Sequence, residues 1–273
     1  MANITLEHKQ CLIAGDGNLP VSMAKSAKQN GFDVVCISLS SDNVKELKKY
    51  CTKVISYGPG QVDSIKAFLQ KEEIKQLTFL GKVSKTMLIK RPKLEKTAIA
   101  LLKEMKKLND DAIMLKIIEQ LENIGITILD QTIFIKNLMV QKGTLTKIAP
   151  NEKQLDDISY GFNIAKQMGG LDIGQSVVMK DRMIMAIEAI EGTDRCIKRG
   201  CKLAKKNNAI VVKVSKPAQD KRFDIPAVGL KTIKTMKKYG ANVLALESGE
   251  TIIVNQDKMI DYANKHKMII VAM

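Results

Sequence analysis

Cys11-Leu12-Ile13-Ala14-Gly15-Asp16-Gly17-Asn18-Leu19-Pro20, carried on through Asn30 and Gly31 to Asp33-Val34-Val35-Cys36-Ile37-Ser38-Leu39, decides the fold class. Cys11 to Ala14 is an apolar run too short for a helix. It is closed by Gly15-Asp16-Gly17-Asn18, a turn composition. A helical pattern follows to about Asn30, with Gly31 placed to cap it. Asp33 to Leu39 is then a second apolar strand. Strand, turn, helix and strand in this order form a βαβ unit, which requires a parallel sheet with helices on its faces. The rhythm continues outward with a weaker strand at Lys53–Ser56, a helix at Val62–Gln70 and a strand at Gln76–Leu80. Lys93–Lys107 and Asp110–Asn123 read as consecutive helices. Gly125 stops the second, and Ile126–Leu129 is a further strand.

Residues Lys136 to Pro150 lose periodicity and contain Gly143 and Pro150, so the domain junction is placed there. The expected division is an N-terminal Rossmann-like α/β domain over 1–137 and a C-terminal α/β catalytic domain over 138–273. The second half opens on Asn151 with Gln154 three positions later, a capping-box spacing. Leu155, Ile158, Phe162 and Ala165 share one helical face, and Gly169-Gly170 ends the helix. Ser176–Met179 and Met183–Ile187 read as strands joined at Asp181-Arg182. A helix starts at Thr193, whose hydroxyl is suited to cap free amides. Ala209–Val214, Val243–Leu246, Thr251–Val254 and Met268–Ala272 are strands. Leu230–Tyr239 and Gln256–Lys265 are the helices among them.

The chain has 273 residues, 45% of them hydrophobic and 4% aromatic, with no Trp, so aliphatic residues and Met must fill the core. Its net charge of +15 raises nucleic acid as a partner. Against that, the lysines are spread along the chain and few aromatics lie among them to stack bases, so no nucleic acid is expected. Anionic substrates or an anionic membrane surface are the alternative partners for such charge. The five cysteines form no C-x-x-C pair and there are two histidines, which argues against zinc. An odd count without a disulfide pattern suits a reducing cytoplasm. Met1 to Gln10 has no long apolar stretch, so no signal peptide is expected, and no apolar run is long enough to span a bilayer.

Four segments carry candidate chemistry. Ala14 to Pro20 is a Gly-rich turn between strand and helix, able to present amides to phosphate. Pro20 stands where a dinucleotide fingerprint needs its third glycine, and Ser38-Leu39-Ser40 lacks the acidic residue for a ribose. A nicotinamide-dependent oxidoreductase is therefore a rival reading. Leu171 to Ser176 places Asp172 and Gln175 at a strand edge. Ala186 to Asp194 puts Glu188, Glu191 and Asp194 at a strand–helix junction, a spacing that suits Mg²⁺. Lys213 to Gly229, broken by Pro217 and Pro226, reads as a loop. It holds Lys213, Lys216, Lys221 and Arg222 for a pyrophosphate, with Asp220 and Asp224 for a metal or a water.

Together these motifs resemble the UDP-2,3-diacylglucosamine pyrophosphatase family of lipid A synthesis, the LpxI type. The resemblance runs through Ala14–Pro20 (AGDGNLP), Gly81–Ser84 (GKVS), Leu171–Val178 (LDIGQSVV), Ala186–Asp194 (AIEAIEGTD), Val212–Gly229 (VKVSKPAQDKRFDIPAVG) and Gly229–Ile233 (GLKTI). Lys85 departs from a frequent Arg-Pro pair, and Asp16-Gly17 from a further glycine. The resemblance implies two α/β domains with a lipid-sugar nucleotide between them, Met and aliphatic side chains around its acyl chains. It implies Mg²⁺-dependent hydrolysis to 2,3-diacylglucosamine 1-phosphate and UMP. The essential aspartate of the family falls on Asp224. The site expected on this basis has Asp224, Lys213 and Arg222 as catalytic residues. Gly15, Gly17, Lys82, Gln175, Thr193 and Lys216 contact substrate, and Asp224, Glu188, Glu191 and Asp194 serve the metal. A cytoplasmic protein working peripherally at the inner face of the membrane is implied, and a homodimer stays open. The non-enzyme alternative is a basic RNA- or lipid-binding protein.

Overall fold

A computed structural model describes residues 5–82, 93–104 and 110–273, without the side chains of 104 and 110. Val83, Ser84 and Lys85, and the end of the helix expected at Lys93–Lys107, lie outside the described residues. The chain forms two compact units, one of Met1–Ile135 with Lys221–Asp224 and one of Lys136–Asp220 with Ile225–Met273.

In the first unit the elements are β1 (Lys9–Ala14), α1 (Leu19–Gln29), β2 (Asp33–Ser38), α2 (Val44–Leu47), β3 (Lys53–Ser56), α3 (Val62–Lys71), β4 (Gln76–Leu80), α4 (Lys96–Glu104), α5 (Asp110–Glu122) and β5 (Thr127–Ile128). The strands make one parallel sheet in the order β3-β2-β1-β4-β5. β1, β2 and β4 are buried almost throughout, as strands covered on both faces must be. Cys11, Ile13, Val35, Ile37, Leu77 and Phe79 form a core with α3 and α5 through Ile65, Leu69, Ile118 and Leu121. The strand order reverses between β1 and β4. In open α/β sheets ligands bind outside the carboxyl ends of the strands at such a point, here just beyond Ala14 and Leu80.

The second unit holds β6 (Gly143–Thr144), α6 (Glu152–Gly170), β7 (Ser176–Lys180), β8 (Met183–Ile187), α7 (Thr193–Leu203), β9 (Ala209–Lys213), β10 (Ala227–Gly229), α8 (Leu230–Tyr239), β11 (Ala241–Leu246), β12 (Ile252–Val254), α9 (Gln256–Lys265) and β13 (Ile269–Ala272). Its main sheet is mixed, in the order β6-β13-β11-β9-β7-β8. β9, β11 and β13 run parallel, and β6, β7 and β8 pair antiparallel. Alternate strand residues serve two cores: Val178, Val211, Leu244 and Ile270 lie under α7, α8 and α9, while Val177, Val212, Val243 and Ile269 lie under α6. The capping box forms, since Gln154 N–H donates to Asn151 Oδ1 at 2.9 Å and Asn151 N–H to Gln154 Oε1 at 3.0 Å. Asp181 and Arg182 both have positive φ, 49° and 57°, as a two-residue hairpin turn demands.

Two expectations need correcting. Lys213, shared in the sequence by the strand expected at Ala209–Val214 and the loop expected from Lys213, ends β9 and is not on the loop, because Ser176 on one side and Leu246 on the other extend the ladder to it. Gly229 likewise belongs to β10, and residues 214–226 between them hold no helix or strand. The strand expected at Thr251–Val254 forms at Ile252–Val254 and pairs with β10 in a separate two-stranded ribbon. Thr193 is the first helical residue of α7 rather than its cap, Gly192 stands in the cap position, and no side chain caps the helix.

Candidate functional site

Each unit gathers part of the expected site. In the first, the turn after β1 meets the turn after β4. Gly15 N–H donates to Leu80 O at 2.8 Å, Asp16 N–H to Lys82 O at 2.8 Å, and Lys82 N–H to Asp16 O at 3.0 Å. A Cβ on Gly15 would stand 2.6 Å from Lys82 O, so glycine is required there by the approach of the two backbones. Two amides of the Gly-rich turn are thus committed to the fold. Gly17, at φ 95°, has open space around its α-carbon, and its carbonyl accepts from Asn43.

Beyond these turns lies a cavity of about 650 Å³. Its walls are mostly aliphatic, from β1, β4, α3, α4 and α5. Gly15, Asp16, Gly81, Lys82, Asp111, Lys116, Gln131 and Asp224 supply its polar lining. Asp224 reaches it because Lys221–Asp224 belongs to this unit. Gln131 N–H donates to Lys221 O at 2.9 Å, Arg222 pairs with Glu122 at 3.0 Å, and Phe223 packs against the core under α3 and α5. Neither Asp16 nor Gln131 is among the site residues expected from sequence. Asp16 lies inside the Gly-rich motif, whereas nothing local marks Gln131.

In the second unit, strand register sets the geometry. Ser176 stands opposite Lys213, and Glu188 N–H donates to Ser176 O at 2.8 Å just past β8. Gly174 comes so close that a Cβ on it would stand 2.0 Å from Glu188 O. Gln175, Glu188, Thr193 and Lys213 are thereby brought to one end of the sheet, at the head of α7. Lys213 is buried and donates to Thr193 Oγ1 at 2.9 Å and to Ser176 Oγ at 3.5 Å. Thr193 donates in turn to Glu188 Oε1 at 2.8 Å, and Glu188 Oε2 stands 3.9 Å from Lys213 Nζ. Glu188 Oε2 and Gln175 Oε1 are buried acceptors with no donor among the described residues.

The remaining carboxylates are held apart. Glu191 pairs with Arg199, whose guanidinium holds its carboxyl below the usual range. Asp194 pairs with Lys231 at 3.1 Å. Lys216 reaches Asp172 at 2.8 Å. Among the described residues no three His, Cys, Asp or Glu side chains stand together to enclose a metal. Mg²⁺ needs less, since it binds through one or two carboxylates and completes its shell with waters and phosphate oxygens. Asp16 and Asp224 both line the cavity, and their carboxylates fit that donor chemistry. Burial pushes the thiols of Cys196 up to about 12 and Cys201 up to about 11, so neither supplies a thiolate near neutral pH.

No described helix is long and apolar enough to cross a membrane. The LpxI N-terminal domain matches residues 9–138 and the LpxI C-terminal domain residues 141–271. A relative from Caulobacter vibrioides, named UDP-2,3-diacylglucosamine pyrophosphatase LpxI, is 28% identical over 263 residues, which is 93% of each chain. With one family's two domains matched in order along nearly its whole length, the chain belongs to the LpxI family.

Proposed function

We propose that this chain hydrolyses the pyrophosphate of UDP-2,3-diacylglucosamine, giving UMP and 2,3-diacylglucosamine 1-phosphate. The observation that carries the reading is the match to both LpxI domains, together with the reaction named for the relative. The site chemistry supports it. An aliphatic cavity with a carboxylate and lysine rim suits a substrate that is part acyl chain and part diphosphate.

In the reaction one water is consumed. Its oxygen bonds to one phosphorus, the bridging P–O bond breaks, and the displaced phosphate leaves. Asp224 is assigned as the residue that binds the metal or activates the water, and Asp16 shares its cavity. Mg²⁺, when bound there with phosphate oxygens, would neutralise the charge that develops on them. Lys82 offers a cation at the same cavity, and Arg222, on the strap that carries Asp224, is an anion clamp. Lys213, held by Thr193 and Ser176, brings a buried cation to the head of α7, with Gln175 and Lys216 as polar contacts. The substrate's acyl chains imply peripheral work at the membrane face.

The test is UMP release from the pure substrate in detergent micelles, with Mg²⁺ and with EDTA, for wild type and Asp224→Asn. Mg²⁺-dependent release that drops about 100-fold or more in the variant is the expected result. Absence of release from folded wild type, or near-normal turnover of Asp224→Asn, overturns the reading of the reaction or of that residue respectively.

A further inference from the structure

The charge of the second unit is not evenly spread. Every exposed charged side chain on α7 and α8 is basic, four on each helix. The two helices pack on each other over one core. On α6, across the sheet, the exposed charges are one basic and two acidic, and on α9 two of each. A lysine-rich composition alone would have loaded all four helices. Arg199 and Lys231 answer Glu191 and Asp194, but the other six cations of the two helices have no ion pair among the described residues. Tyr239 lies under Lys198 and Lys238, and Tyr262 under Lys234, an arrangement of amphipathic ring and cation suited to a headgroup region. Ile190, shortly before α7, and Leu203, its last residue, are aliphatic side chains 90% and 61% exposed.

We propose that the α7–α8 face is a docking surface for an anionic phospholipid bilayer. Positive charge on this face complements the negative surface potential of such a leaflet, and each lysine near that surface adds attraction. Ile190 and Leu203 add the apolar contact that charge alone lacks. The choice of lipid over nucleic acid rests on the amphiphilic substrate proposed above.

The test is co-sedimentation of the full chain with vesicles of phosphatidylcholine containing about a third phosphatidylglycerol. Lys202→Glu/Lys234→Glu/Lys237→Glu is compared with a triple of equal charge change in the first unit, Lys25→Glu/Lys45→Glu/Lys48→Glu. Wild type should bind, more weakly as salt rises. The α7–α8 triple should lose about 100-fold in partitioning, and the control triple far less. Both triples should keep wild-type UMP release from micellar substrate, a readout that a failed reaction assignment would abolish in wild type without touching vesicle binding. Equal loss in the two triples, or wild type that ignores vesicles, overturns the proposal. So does wild type that sediments with mixed-sequence RNA in preference to vesicles.

Discussion

At the scale of single residues the site pairs two kinds of cost. Lys213 is an ammonium taken almost wholly out of water, with Thr193, Ser176 and Glu188 around it. A buried charge is tolerable when hydrogen-bonded and answered by an opposite charge, and removing one partner leaves the other exposed to the full penalty. Lys213→Met should therefore lower unfolding free energy by about 3–5 kcal/mol. Adding Glu188→Gln should return part of that loss, because the orphaned carboxylate is then gone. Urea midpoints of the two single variants, the double and wild type read the coupling. Additive losses would show that Lys213 and Glu188 do not support each other. Asp224 lines the cavity, and since Asn keeps its size while removing its charge, Asp224→Asn should cost far more in turnover than in stability.

At the scale of elements, close approach and capping decide what the site can be. Gly174 lets the loop before β7 lie against Glu188, so Gly174→Ala must move one of them and should destabilise the unit by about 2–3 kcal/mol. An unchanged midpoint would mean the loop yields freely. In the first unit α3 and the chain entering α4 hold each other. Thr97 donates through its amide and hydroxyl to Asp63, and Ser64 does the same to Glu95. Those bonds hold both carboxyls below the ordinary carboxylate range. A lowered folded-state pKa contributes stability above the unfolded value and loses it as pH falls through the folded one. The stability gap between wild type and Asp63→Ala/Glu95→Ala should be full near neutral pH and narrow as pH falls below about 4 through the lowered folded-state values; a gap of unchanged size in acid would refute the assignment. Elements of this kind are legible where the signal is local. Asn151 and Gln154 declare their helix, and the runs at Cys11 and Asp33 declare parallel strands. Lys213 falls in the sequence both in the strand at Ala209–Val214 and at the start of the charged loop, and it is partners 33 and 37 residues away, Leu246 and Ser176, that place it in the strand. The membership of Lys221–Asp224 in the first unit is not legible for the same reason, since it is fixed by Glu122 and Gln131.

At the scale of the whole molecule, a chain with 4% aromatics and no Trp has built its cavity mostly from aliphatic side chains, with Phe79 and Phe223 among them. Aliphatic walls give burial energy with little directional preference, roughly 0.8 kcal/mol for each methylene removed from water. Such a cavity selects by volume. Gly15, Asp16, Gly81 and Lys82 line it just beyond β1 and β4, so an occupant's charged end should be fixed there and its apolar end should lie along the aliphatic walls. Ala98, buried on α4 and part of the cavity wall, is a place to reduce that space without touching Asp16, Lys82 or Asp224. Ala98→Phe should raise KM for the long-chain diacyl substrate by about tenfold while leaving kcat within a few-fold. A substrate with acyl chains shortened by several carbons should be affected much less, because the lost volume then falls beyond its reach. Steady-state UMP release across an acyl-length series separates these outcomes. If KM rises equally for every chain length, the cavity does not hold the acyl chains. If kcat falls instead of KM rising, the substitution has disturbed the reacting groups, and the aliphatic walls have a positioning role rather than a binding one.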